Sequence, residues 1–169
     1  MAGAAPAGDR VSWSSSVPAA LAALVAAFRA SPGLASPVDV RDGPVVTSAT
    51  ARDVVVVGWR GQENDELTVE DADIPEGLAG IPDREQYSIR CAAISVCATG
   101  DAATAIVTAR TRVYELVAAC GAAIAADRKL GGAVMRATMG AGSLRQVPDQ
   151  NGLVATVEFA VDIDAFSGR

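Results

Sequence analysis

Histidine is absent from this 169-residue sequence, and its absence limits the chemistry that the chain can perform. Histidine is the commonest general base at neutral pH and the commonest metal ligand. A serine nucleophile needs such a base, and the sequence also lacks the GxSxG motif in which many hydrolases hold that serine. We therefore expect no catalytic residues, and no metal site built on histidine.

A nucleotide-binding loop is also missing. Residues 53–62, DVVVVGWRGQ, form an apolar run that ends in glycines, as does the strand before many phosphate-binding loops. The stretch lacks both GxGxxG and the lysine of a P-loop, and acidic residues follow it. Acidic side chains repel phosphate, so we expect no nucleotide cofactor at this position. The four valines instead predict a strand in the core.

Aromatic residues and cysteines are scarce as well. Aromatic residues make up 4% of the chain although half of it is hydrophobic, so the core must rely on close packing of small side chains. The length fits one domain. Cys91, Cys97 and Cys120 lie in apolar patterns with no CxxC pair. An odd number of such thiols indicates reduced core cysteines in a cytosolic setting, with no metal role.

Basic residues are few, and Lys129 is the only lysine. The net charge of −6 disfavours a free-standing nucleic-acid-binding protein, which usually presents a basic face. The N-terminal residues MAGAAPAGDR do not form a secretory signal, and the apolar run VPAALAALVAAF is too short to span a bilayer. We expect a soluble protein with a flexible tail over residues 1–16.

Hydrophobic periodicity and capping residues predict an α+β fold. A helix over residues 17–30 follows Ser16 as its cap, and a longer helix runs from the cap Asp101 to about Asp127. The other predicted elements are short strands around an Asp42-Gly43 turn, a strand from Asp53 to Trp59, a strand through REQYSIRCAAISVC, and two final strands. We expect a mostly antiparallel mixed sheet with the N-terminal helix and the long helix packed on one side.

The same patterns predict which side chains are buried. One face of the first helix is apolar at Leu21, Leu24, Val25 and Phe28. The long helix is predicted to bury a stripe at Ile106, Arg110, Val113, Val117, Cys120 and Ile124, with one arginine stem against the sheet. The valine strand is apolar on both faces, so its second face must be buried in its own chain or against a neighbouring copy.

Residues 61–83 carry eight acidic side chains and no basic one. With Pro75, Pro82 and three glycines they predict a long acidic arm that is mobile or engaged with a partner. Unpaired charge is costly to bury, so the arm should stay in water, reach arginines of another chain or hold a divalent cation. The spacing of its carboxylates suits Ca²⁺ or Mg²⁺ but does not match an EF-hand. A solvated acidic surface is therefore the favoured interpretation, with no metal site.

Contacts between copies are predicted to use this arm and basic residues of the second half of the chain. The predicted interface residues are Glu63, Asp65, Glu66, Glu70, Asp71, Asp73 and Glu76 on the arm, with Arg110, Arg112 and Arg136 as their basic partners. Further basic residues that could contribute are Arg128, Lys129 and Arg145.

Six stretches, in their order along the chain, resemble the tail terminator proteins of long-tailed siphophages, particularly those of actinobacterial phages. They are LAALVAAF, VDVRDGP, VVVVGW, EQYSIRCAAISVCATGD, ARTRVYELVAA with DRKLGGAVMRATM, and NGLVATVEFAVDI. Together they lie within residues 17–166, which we interpret as a single domain. None of them is a catalytic signature, and their order gives the resemblance its weight.

The resemblance implies a structural virion protein at the head-proximal end of the tail, assembled in the host cytoplasm. A hexameric ring would cap the finished tail tube, stop its polymerisation and present a surface for joining the head. Its partners would be further copies of itself, the tail tube protein and the head-tail connector or neck protein. DNA would only pass through the lumen, and neither a cofactor nor a membrane would be involved.

Two other functions remain open from the residues. A head-tail neck or head-completion protein would share the fold and the ring symmetry. A small-molecule-binding α+β domain, or a minor enzyme, would show a deep pocket with converging polar groups. The missing histidine and the missing motifs disfavour this third interpretation.

Overall fold

The computed structural model describes residues 15–43, 52–59, 69–72, 84–98, 101–149 and 152–167. Within these ranges the chain forms two α-helices and six β-strands, with short 3-10 turns at Pro32–Leu34 and Leu130–Gly132. In chain order the elements are α1 (Val17–Ala30), β1 (Asp39–Asp42), β2 (Asp53–Val57), β3 (Val69–Ala72), β4 (Arg84–Cys97), α2 (Ala102–Ala126), β5 (Arg136–Asp149) and β6 (Gly152–Phe166).

All six strands belong to one sheet, in the order β1-β2-β4-β6-β5, with β3 also paired to β4. The β1–β2 pair is parallel and the other pairs are antiparallel. Side chains of α1 and α2 share one core with the inward residues of β4 and β6. The predicted α+β fold, a mostly antiparallel mixed sheet with both helices packed on it, is confirmed.

Helix α1 has the predicted bounds, and its buried residues are Ala20, Leu24, Val25 and Phe28. Ser16 occupies the N-cap position, but its side chain makes no capping hydrogen bond. Instead, the Ser16 hydroxyl donates to the buried carboxylate of Glu85, and the Ser16 N–H donates to the same carboxylate at 2.7 Å. Glu85 therefore fixes the start of α1 to β4. This contact joins residues far apart in the chain, so no local sequence pattern predicts it.

Strands β4 and β6 show the alternation that the sequence predicts. Tyr87, Ile89, Cys91 and Ala93 point into the core from β4, opposite Ile163, Val161, Phe159 and Val157 of β6. The intervening residues of both strands face the other side of the sheet. The two strands pair along their whole length, from Arg84 opposite Phe166 to Cys97 opposite Leu153.

Helix α2 begins as predicted, because Asp101 accepts a hydrogen bond from the Thr104 N–H at 3.0 Å. The predicted buried stripe is wrong in the first half of the helix. Ile106 and Arg110 are exposed, and the residues that face the sheet are Ala105, Ala109, Val113, Leu116, Cys120 and Ile124. Alanine allows the helix to lie close to the strands, so the larger Ile106 turns away from the centre of the contact.

Strand β2 is buried on both faces. Val55 and Val57 belong to the main core, whereas Val54 and Val56 pack with Trp59 and Ile94 on the other face of the sheet. Gly58 has a φ of 78°, a conformation that favours glycine, and the N–H groups of both Gly58 and Trp59 donate to the Arg90 carbonyl. Trp59 of the same chain thus covers the second face, so this strand does not by itself require a neighbour.

The acidic arm contains a strand that the sequence interpretation missed. β3 pairs with β4 from Val69 opposite Ile89 to Ala72 opposite Gln86. Residues 61–83 were interpreted as an acidic arm and no strand was predicted in them, so the interpretation is wrong at Val69–Ala72. The remaining arm residues lie outside the described part of the chain, as do residues 1–14 of the predicted tail and the strand expected directly after Gly43.

We predict that Glu85→Ala lowers the free energy of unfolding by about 1–3 kcal/mol, because two buried donors of Ser16 lose their acceptor. Glu85→Gln keeps one carbonyl acceptor and should lower it by less. Urea denaturation followed by circular dichroism measures both variants, with Thr111→Ala at an exposed position of α2 as control. If Glu85→Ala were as stable as the control, the contact with Ser16 would not be what holds α1.

Candidate interaction surface

The second half of β5 is exposed on both of its faces. Residues 141–145 are all exposed, although alternate residues of a strand point to opposite sides of a sheet. Leu144 and Val147 have 36% and 43% of their surface exposed. Residues 141–145 therefore lie largely in solvent, whereas Gln146 contacts α2 through the Ile106 carbonyl.

β5 is also an edge strand. It pairs with β6 and with no other described strand. The Ala137 N–H donates to the Arg128 carbonyl at 2.7 Å, so the start of the second edge is occupied, and the rest of that edge has no described strand partner. A bulge interrupts the pairing between Met139 and Gly142. Gly142 is required there, because a Cβ atom would lie 2.9 Å from the Glu158 carbonyl oxygen.

At the opposite edge of the sheet, β1 and β3 differ in how open they are. The Nε and Nη2 atoms of Arg29 donate to the Val40 carbonyl at 3.1 and 3.0 Å, so a side chain covers part of the β1 edge. Among the described strands β3 pairs only with β4, and two of its four residues are Glu70 and Asp71.

The structure places the predicted basic residues in different settings. Arg110 is exposed on α2, and Arg128 and Lys129 are exposed in the turn after α2. Arg136 opens β5 opposite Asp164 of β6. Hydrogen bonds from Arg84, reinforced by the charges of Arg84 and Arg136, hold the pKa of Asp164 below its ordinary value.

Arg112 has a structural role within its own chain. Its Nε donates to Asp53 at 2.7 Å and its Nη1 donates to Glu115 at 2.9 Å. The other carboxylate oxygen of Asp53 accepts from the Ser95 hydroxyl at 2.8 Å. This network ties α2 to the start of β2, so Arg112 is the least suited of the predicted basic residues to contact another copy.

The acidic side of the predicted interface lies almost wholly outside the described residues. Of Glu63, Asp65, Glu66, Glu70, Asp71, Asp73 and Glu76, only Glu70 and Asp71 have a described backbone position, on β3. No group of three potential metal ligands occurs among the described side chains. The cation-binding alternative for the arm thus stays a sequence-based hypothesis.

An apolar groove of about 490 Å³ lies between the start of α2 and the β5–β6 hairpin. Ala105, Ile106, Pro148 and Leu153 line it, and among its described lining residues only Gln146 has a polar side chain. That amide donates to the Ile106 carbonyl at 3.2 Å. The groove therefore lacks the converging polar groups that a specific small-molecule site would present.

The three cysteines belong to the core. Cys91, Cys97 and Cys120 are buried and form no disulfide with one another, which confirms their predicted core position. Burial raises the pKa of Cys120 to about 12 and raises the pKa of Cys91 well above its ordinary value. A thiol that stays protonated is a poor nucleophile and a poor metal ligand.

The sequence interpretation missed the exposed apolar residues of β5. Leu144 and Val147 were assigned to a strand, but neither was assigned to its buried or its exposed face. The reason is that MGAGSLRQV does not alternate cleanly between apolar and polar residues. The two glycines beside Ala141 and the broken alternation were the available signals of an exposed edge. Val107 and Tyr114 of α2, with 53% and 50% of their surface exposed, are further apolar residues that no helix or strand covers.

Comparison with known proteins shows a shared fold. No protein-family model and no curated protein matches the chain. Among solved structures, the chain is similar to one in "Virion of native gene transfer agent (GTA) particle", with a TM-score of 0.50 and 12% sequence identity. The match covers 88% of this chain and 94% of that chain. In the described part of the chain, no helix has the length and apolar character needed to cross a bilayer.

We predict that Cys91→Ala and Cys97→Ala each lower the free energy of unfolding by about 1–3 kcal/mol through lost packing, and change nothing else. Chemical denaturation measures the loss, and intact-mass analysis of the native protein should show three free thiols. A disulfide or a bound metal in that mass would contradict the assignment of these cysteines to the core.

The raised thiol pKa values also predict a pH dependence. Both thiols stay protonated in the native state, whereas the unfolded chain ionises them above about pH 8.5. Their contribution is complete below that pH and is lost as the pH rises towards the native pKa, which for Cys120 is about 12. At pH 10 each thiol should lower the free energy of unfolding by about 2 kcal/mol. Denaturation between pH 7 and 10 measures the loss, and Cys120→Ala should show a shallower decline than the wild type.

Proposed function

We propose that this protein is a structural component of a phage-like virion and, more specifically, a tail terminator that forms a ring on the finished tail tube. A likeness in fold carries the proposal, because the similar chain belongs to a virion and the match covers 94% of it. The six sequence stretches that resemble siphophage tail terminators, taken in their order along the chain, support the finer assignment as a tail terminator.

The described surface supports an assembly role. A long exposed edge such as β5 is a liability in a protein that stays alone, because it invites pairing with other chains. In a closed ring each subunit uses two different surfaces, and its neighbours can cover both. Since Trp59 already covers the second face of β2, this support comes from β5 and not from the valine strand.

In the proposed ring, six copies cap the tail tube, stop further polymerisation and present their other face to the connector or neck protein. The ring lies at the head-proximal end of the tail and assembles in the host cytoplasm. A net charge of −6 suits a lumen through which DNA slides without binding, provided that acidic side chains line it. The role requires no catalytic residue, metal or cofactor.

A head-tail neck or head-completion protein is the second candidate, because the same likeness to a virion chain supports it. The two roles differ in where the ring lies and in what its loss does. A tail terminator limits tube length, whereas a neck protein acts after the tube is complete. A small-molecule-binding role is less well supported, since the groove beside α2 is chiefly aliphatic.

We predict a six-fold ring of this protein at the head-proximal end of assembled tails, visible by electron microscopy with labelled protein. Without the protein, tail tubes should exceed their normal length, because nothing caps the growing end. A protein that remains monomeric on assembled tails would exclude a ring. Tubes of normal length without the protein, together with a ring on the head side, would instead indicate the neck role.

A further inference from the structure

We propose that the N-terminal segment of a second copy of this chain, residues 1–14, docks in the apolar groove beside the start of α2, with the side chain of Trp13 inside the groove. Each subunit then gives one N-terminal segment and receives another. The inference rests on the proposed function and names a contact that joins the copies of the ring.

The groove suits a large apolar side chain. Ala105, Ile106, Pro148 and Leu153 present aliphatic surface to it, and Ile106 has 38% of its surface exposed. The volume of 490 Å³ lies within the range of about 300–1,000 Å³ that is typical of pockets enclosing a ligand. A two-ring side chain therefore fits by size, and its burial removes apolar surface of both copies from water.

Gln146 supplies the one polar side chain among the described lining residues of the groove. Its amide nitrogen donates to the Ile106 carbonyl at 3.2 Å, which orients the amide and leaves its oxygen to accept a hydrogen bond. A tryptophan that is buried usually needs one acceptor for its indole N–H. Aliphatic walls with a single acceptor match these needs of an indole.

The N-terminal segment supplies such a side chain. Its sequence, MAGAAPAGDRVSWS, consists mostly of small residues, and Trp13 is its only aromatic one. Val11 and Trp13 lie two positions apart, so an extended chain directs both side chains to the same face. Tryptophan is among the residue types that most often fill pockets at the centre of an interface.

The place where the segment joins α1 excludes the groove of the same chain. The Ser16 N–H donates to Glu85 at 2.7 Å, at one end of β4, whereas the groove lies at the other end, where Leu153 pairs with Cys97. The twelve residue steps from Glu85 to Cys97 span about 40 Å. The three steps from Ser16 back to Trp13 span at most ~11 Å. Trp13 therefore reaches this groove only in another copy.

The same geometry determines how the copies are joined. The segment leaves one end of the sheet and the groove lies at the other, so the contact uses two different surfaces of each subunit. Such a heterologous contact repeats from copy to copy and generates a ring when the rotation closes. The proposed ring needs a contact of this type.

Two variants test the contact from its two sides. Trp13→Ala removes the side chain that docks, and Ile106→Glu places a charge in the groove. Both should stay folded by circular dichroism, because Trp13 precedes α1 and Ile106 is an exposed residue. Sedimentation and native mass spectrometry over a range of protein concentrations should show that each variant self-associates at least ~10-fold more weakly than the wild type.

An equimolar mixture of the two variants should form one-to-one pairs and nothing larger. In such a pair, Trp13 of the Ile106→Glu variant occupies the intact groove of the Trp13→Ala variant. The pair cannot grow, since its remaining groove carries the charge and its remaining segment lacks the tryptophan. A mixture without pairs would overturn the inference, and so would either variant alone associating as strongly as the wild type. A wild type that shows no association at any concentration would overturn it as well.

Matched controls separate docking from general effects of the substitutions. Val107→Glu places the same charge on the neighbouring residue of α2, which has 53% of its surface exposed, and should associate like the wild type. Trp13→Phe keeps an aromatic side chain and should associate more strongly than Trp13→Ala. Equal association of Ile106→Glu and Val107→Glu would contradict docking in the groove.

Electron microscopy of assembled tails separates this contact from the proposed function. Rings that persist on tails with Trp13→Ala would retain the proposed function and reject only this contact. Tails that carry no ring of the wild-type protein, together with one-to-one pairs in the mixture, would reject the proposed function and retain the contact.

Discussion

Small side chains allow both helices to lie close to the sheet, and the rest of the structure depends on that close packing. Ala105 and Ala109 are the points at which α2 meets the strands, and both are buried. A Cβ atom on Gly33 would lie 2.8 Å from the Cβ of Ala119, so glycine is required where the turn after α1 meets α2. With few aromatic residues to fill gaps, the core is stabilised by close contact over a large area.

Both helices pack on one side of the sheet. Residues outside the helices must therefore cover the other side of the sheet and its edges, or leave them exposed. Trp59 covers Val54 and Val56, and the Asp53–Arg112 pair ties the start of β2 to α2. At the end of β5, Gln146 contacts α2, whereas Leu144 and Val147 remain exposed.

Local patterns were sufficient for some elements and misleading for others. α1 has the predicted bounds, and the inward faces of β4 and β6 follow from their alternation. The buried stripe of α2 was misplaced in its first half, because the larger Ile106 was preferred to Ala105, whereas Val113, Cys120 and Ile124 are buried as predicted. β3 was missed since four residues with two carboxylates have little strand propensity, and their pairing depends on β4. Glu85 was likewise missed, because its partner Ser16 lies 69 residues away.

The sequence by itself determined the class of the fold, the strands with clear alternation, the capped start of α2 and the absence of histidine, since each depends on neighbouring residues or on composition. Only the tertiary structure decided which edges stay open and what covers each face. Those properties depend on contacts between residues that are not neighbours in the chain, such as Arg29 with Val40, Val54 with Ile94 and β3 with β4. The charge of the predicted interface residues is visible in the sequence, whereas only the structure places Arg110 and Arg112 on α2 and Arg136 on β5.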